Sequence, residues 1–152
     1  MALLALILAL SGRHCMGLTD NVLCMPLPPG WSQSVAFGVA DGRCAAWMFA
    51  GNFRFRRFPQ NSEGTPDVPR GRVLITIGDF PVGGTAGRNW PRVERLRLPP
   101  NGETPWHVVF HHRALYLSVH FGSFPNSHMF SIVNARLGSV RRMHTHCRPS
   151  GA

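Results

Sequence analysis

The chain has 152 residues, 44% hydrophobic and 10% aromatic, enough for one domain with a packed core and too apolar for disorder throughout. Sixteen cations against seven acids leave a formal charge of +9, a surface that attracts phosphates, anionic lipids or acidic polymers. Every cation is an arginine, and the arginines are scattered from Arg13 to Arg148 in nothing longer than short pairs, which excludes a polycationic tail or arm.

The opening run "ALLALILAL", residues 2–10, is far shorter than the roughly 20 residues of a membrane-crossing helix. It fits the apolar stretch of a signal peptide, with Ala9 and Ser11 as small residues at the spacing a signal peptidase accepts, although no basic residue precedes it. A short buried helix opening a cytosolic domain is the competing reading. The expectation is a leader and flexible start over residues 1–24 and a single β-rich domain over 25–152, exported to the cell envelope or beyond. Cys15, Cys24, Cys44 and Cys147 form an even set. In an exported chain Cys24, Cys44 and Cys147 are the disulfide candidates, paired as Cys24 with Cys147 or Cys44 with Cys147.

"CMPLPPGW" (Cys24 to Trp31) is held extended by its prolines and leads into the domain. Two apolar runs flank Asp41-Gly42, a strong hairpin signal, in a register that sets Ala40 against Arg43 and Val39 against Cys44. The second run is expected to continue into "GNFRFRRFP", where alternation sends Phe53 and Phe55 inward and Arg54 and Arg56 outward. A long loop rich in proline follows. "RVLITIGDF" (Arg72 to Phe80) then reads as a central strand on its β-branched content.

"PVGGTAGRNWPR" has the glycines of a phosphate cradle but not the Gly-Lys-Ser/Thr that opens a helix in a P-loop. "VERLRL" (Val93 to Leu98) alternates as a strand. "WHVVFHHRALYLSVHF" (Trp106 to Phe121) makes a second hairpin with Trp106, Val108, Phe110, Leu115, Leu117, Val119 and Phe121 on one face. If Phe110 pairs with Leu115, His107 faces Ser118 and His120 lies on the diagonal. From Phe130 through Val133 and Leu137 to Val140 the period becomes helical, with Asn126 or Ser127 as cap and Arg141-Arg142 suited to the C-terminal end of the dipole. Together these predict a mainly β fold, an antiparallel β-sandwich or curled sheet of about six to eight strands with one C-terminal helix.

Candidate chemistry is sparse. His144, His146 and Cys147 in "MHTHC" are metal-ligand types at alternate spacing, though a disulfide to Cys147 competes. Asp79 could serve with the hairpin histidines in a small hydrolase or metal-dependent enzyme, but an Asp before a proline-rich loop more often shapes a turn. No nucleophile elbow, His-Glu-x-x-His motif or paired glycosidase acids occur. An RNA-binding sheet would turn its aromatics outward, and "GNFRFRRFP" does not match that pattern.

The stretches "PLPPGW", "GNFRF", "GRVLITIGDFP", "WPRVERLRLP", "HFGS" and "NARLGSVRRM" resemble those of a group of small, exported, functionally uncharacterised proteins from GC-rich bacteria. The resemblance implies export and a β-rich domain, and carries no catalytic residue. The expected function is that of a non-enzymatic binding or interaction module at or outside the cell envelope. Its contact surface is drawn from Arg70, Arg88, Trp90 and Arg92, with Arg54 and Arg56. The expected partner is an anionic cell-surface polymer or another envelope protein. Nucleic acid becomes the partner only if the chain is cytosolic, no cofactor is implied, and no transmembrane helix is expected in the mature chain.

Overall fold

The computed structural model describes residues 15–16, 21–40, 43–56, 66–80, 88–102 and 104–144. In chain order they form strands β1 (Cys15–Met16), β2 (Asn21–Cys24), β3 (Ser32–Ala40), β4 (Arg43–Gly51), β5 (Val73–Phe80), β6 (Arg92–Val93), β7 (Trp106–Phe110) and β8 (Arg113–Phe121), then helix α1 (Ser127–Leu137) and strand β9 (Arg141–His144). Six strands make one sheet in the order β3-β4-β5-β8-β7-β6, and β1, β2 and β9 make a smaller one. The large sheet is mixed, because β6 runs parallel to β7 while its other pairs are antiparallel. It is not closed into a barrel.

β5 lies near the middle of the sheet, and Val73 through Asp79 are all buried. One face carries the main core. Ile75 and Ile77 of β5, Met48 of β4, Leu115 and Leu117 of β8, and Val108 and Phe110 of β7 pack there with Val133 and Leu137 of α1. Alternation along each strand makes this continuous, since residues two apart share a face. The helix begins where expected, with the Asn126 side chain accepting from the Met129 N–H at 2.9 Å. It ends at Leu137, with Gly138 as C-cap. Val140 lies beyond the helix and Arg141 and Arg142 stand in β9, so the basic pair does not sit in the last helical turn. Arg141 nevertheless reaches back to the terminal carbonyl, donating from Nη1 to Gly138 O at 2.7 Å.

The structure departs from the strand expectations in three further places. β4 stops at Gly51, where Asn52 closes the ladder by accepting the Val73 N–H on its side chain at 2.8 Å. Phe53 and Phe55 then stack at 5.2 Å and lie over Gly51, where an added Cβ would meet their rings at 2.8 and 3.0 Å. The alternation of half-buried Phe53 and Phe55 with exposed Arg54 and Arg56 is kept without a strand, but the phenylalanines cover Gly51 on the face opposite the main core and do not join that core. Similarly, residues 94–98 alternate in burial, with Leu96 and Leu98 buried and Arg95 and Arg97 exposed, while only Arg92–Val93 joins a ladder. Here the Leu98 N–H bonds the Asn134 side chain at 2.8 Å in place of a neighbouring strand.

The third departure is the register of the second hairpin. Phe110 pairs with Arg113, not Leu115, so His107 faces Tyr116 rather than Ser118. The loop is therefore only His111-His112, and both take left-handed backbone angles, φ 46° and 64°, as a two-residue hairpin turn requires. A β-carbon makes that conformation costly. We expect His112→Gly to raise stability by about 1 kcal/mol, seen as a higher urea midpoint with unchanged slope.

Candidate binding surface

The face of the sheet opposite the helix carries a transverse row set by register. Ala36 pairs with Trp47, Trp47 with Gly78, Gly78 with Tyr116 and Tyr116 with His107. At the β7 end the row continues into Trp90. The short parallel strand β6 brings it there, anchored by the Val109 N–H donating to Pro91 O at 2.9 Å and by the pairing of Arg92 with Val109. The Trp90 and His107 rings lie 4.5 Å apart, and His107 meets Tyr116 nearly edge-on at 5.4 Å. His107, Arg88 and Arg92 are exposed, while Trp90 and Tyr116 are half-buried. Such a stack offers ring faces and edges to a flat ligand, and the arginines beside it supply charge-assisted donors to an anion.

The six candidate contact residues thus divide between two places. Arg88, Trp90 and Arg92 belong to the stack. Arg54, Arg56 and Arg70, all exposed, lie near the junction where β4 ends and β5 begins. Strand alternation alone places His107, Tyr116, Ser118 and His120 together on the outer face, but the approach of Trp90 depends on a parallel pairing that no local pattern announces.

Asp79 and the hairpin histidines are not brought together. Asp79 is on the core face, where Arg113 holds it through Nε to Oδ1 at 2.9 Å and through a second bond from Nη2 to Oδ2. Burial pushes the Asp79 carboxyl above its ordinary value, and the bonds and charge of Arg113 pull it back. His107 and His120 stand on the other face. His120 Nε2 lies 3.0 Å from Ser118 Oγ. Burial lowers the pKa of His120, which favours the neutral ring that can accept the serine hydroxyl. Ser118 itself is only 3% exposed, so the pair resembles a nucleophile and base in distance without offering the nucleophile to substrate.

Among the described residues no group of three or more His, Cys, Asp or Glu is placed to hold a metal ion. His144 lies in β9 opposite Asn21, and His146 and Cys147 lie outside the described residues. Cys24 has Cys15 as its ladder partner, and Cys44 pairs with Val39. No helix among the described residues is long and apolar enough to cross a membrane. No protein-family model, curated protein or solved structure matches the chain.

Asp79 is buried and Arg113 half-buried, and removing the arginine should leave the carboxylate uncompensated. Arg113→Met should cost about 3 kcal/mol at neutral pH. Without Arg113 the folded-state pKa of Asp79 rises further, so the folded protein holds a proton that the unfolded chain has already released. Stability of the variant should therefore fall as pH rises from about 4, and its deficit against the native protein should shrink on acidification. Urea unfolding across that range measures this, and Asp79→Leu with Arg113→Met should recover most of the loss.

Proposed function

We propose that this protein is an exported, non-enzymatic binding module acting at or outside the cell envelope, and that it takes an anionic cell-surface polymer on the Trp90 stack. The observation that carries the reading is the set of contiguous rings, Trp90, His107 and Tyr116, beside exposed Arg88 and Arg92. Sugar rings with acidic substituents match both parts, the apolar ring face lying on an aromatic side chain and the anion meeting a guanidinium. The commitment of Asp79 to Arg113 weighs against the hydrolase reading, because a carboxylate already bonded through both oxygens is poorly placed to act as a base.

Export draws support from the apolar leader and from the register that sets Cys15 directly opposite Cys24. Facing cysteines on neighbouring antiparallel strands are within the Cα separation a disulfide spans. The nucleic-acid reading gains one specific observation, since the outer face of the sheet does present aromatic rings, and single strands stack on such rings.

Oligogalacturonate is a suitable probe, with a neutral galacto-oligosaccharide as control. The acidic ligand should bind more tightly, Trp90→Ala should weaken it about tenfold, and Arg88→Glu with Arg92→Glu should remove the preference for acid. Calorimetry that finds equal affinity for both sugars would defeat the proposal, and tighter binding to oligothymidylate would transfer the surface to nucleic acid. In protein recovered from an oxidising compartment, peptide mapping without reductant should join the Cys15 and Cys24 peptides. Free thiols at both positions would count against export.

A further inference from the structure

A second surface lies away from the stack, at the end of the sheet where β5 begins and β8 ends. Phe124 is fully exposed, the one large hydrophobic side chain in that state among the described residues. It borders a groove of about 420 Å³ whose apolar walls include Pro66, Val68, Phe121 and Pro125. The groove, lined also by His120 and Ser123, adjoins the protruding ring in a segment tied firmly to the fold. The Gly122 N–H donates to Arg72 O at 2.9 Å, and the Gly71 N–H donates to Ser123 Oγ at 3.3 Å. A methyl group on Gly122 would run into the Pro69 carbonyl, so the two loops are packed backbone to backbone.

The same packing sets charge around the ring. Arg70 and Arg72 are exposed in the turn bonded to Gly122 and Ser123. Arg54 and Arg56, also exposed, leave the sheet beside them, and Arg72 Nη1 donates to Asn52 O at 3.2 Å. Among the described residues of this region Asp67 is the exposed acid. Two residues beyond Phe124, Asn126 caps α1, whose first turn contains no acidic residue and begins with exposed Ser127 and His128. The helix therefore turns the positive end of its dipole toward this surface without an internal countercharge. A soluble polyanion would answer the arginines but leave Phe124 in water. An anionic bilayer answers both, with phosphates at the guanidinium groups and the phenyl ring among the upper acyl carbons.

We infer that this end of the domain is a docking surface for an anionic phospholipid membrane, with Phe124 as the inserted ring and Arg54, Arg56, Arg70 and Arg72 as the headgroup contacts. It shares no residue with the Trp90 stack, so either assignment can fail alone.

Co-sedimentation with phosphatidylglycerol and with phosphatidylcholine vesicles tests it. The native chain should sediment with the first, not the second, and release as salt rises. Phe124→Ala, at a site with no packing to lose, should weaken binding about tenfold. Arg70→Glu should weaken it more than Arg97→Glu, which makes the same change of charge elsewhere. Phe124→Trp should add emission that shifts to the blue on phosphatidylglycerol vesicles, a readout that does not depend on the alanine variant. Equal binding to both lipids, no binding to either, or undiminished binding by Phe124→Ala would overturn the assignment.

Discussion

Burial of β5 on both faces is the constraint to which the other elements answer. A strand with neighbours on both edges and cover above and below must be apolar almost throughout, and Val73 through Ile77 satisfy this with one hydroxyl, that of Thr76. Gly78 then occupies the row between Trp47 and Tyr116, and Asp79 places a carboxyl in the core. That carboxyl can be tolerated because β8 starts two residues earlier than its partner Leu115, which brings Arg113 within reach of both oxygens. The two-residue turn and the ion pair of the buried Asp79 are therefore linked. A four-residue loop would have left Arg113 in the turn, and Asp79 would lack its counterion.

The same geometry explains which parts of the fold could be read in advance. The central strand, the two hairpins, the Asn126 cap and the inward faces of β7 and β8 follow from periods of two and from capping chemistry, both local properties of the chain. The first hairpin register was legible because Asp41-Gly42 selects a short turn. The second was not, since His111-His112 adopts left-handed angles that are uncommon outside glycine. Their side chains do not declare it, and the two-residue turn leaves Arg113 within β8, where it bonds Asp79.

Alternation misled at Phe53 to Arg56 and at Glu94 to Leu98 for a shared reason. A pattern of apolar and charged residues records which side is buried, and a loop pressed against a sheet shows the same record as a strand within it. At "GNFRF" the side chain of Asn52 takes the hydrogen bond that a continuing strand would have made, and the phenylalanines settle over Gly51. At "VERLRL" the helix, through Asn134, supplies the acceptor. The candidate site was partly visible on these terms. Trp90 with its neighbouring arginines stood out by composition and His107 by face, but their meeting depends on a two-residue parallel ladder between segments separated by a loop. Parallel pairing leaves no turn signature in the chain.

The two proposed surfaces, with different chemistry on one basic domain, bear on how its charge would be used. If +9 served only to attract polyanions, the arginines could be distributed without regard to neighbouring side chains. Instead Arg88 and Arg92 lie next to Trp90 in the chain, and Arg70 and Arg72 stand in a turn bonded to the segment that carries fully exposed Phe124. The aromatic neighbours differ in what they can accept. Trp90, resting on His107, presents a supported ring to a ligand that lies flat, whereas Phe124 projects without a covering side chain and gains most from entering an apolar medium. On the two assignments proposed above, charge would bring either partner to the domain, and the setting of the ring would distinguish one from the other.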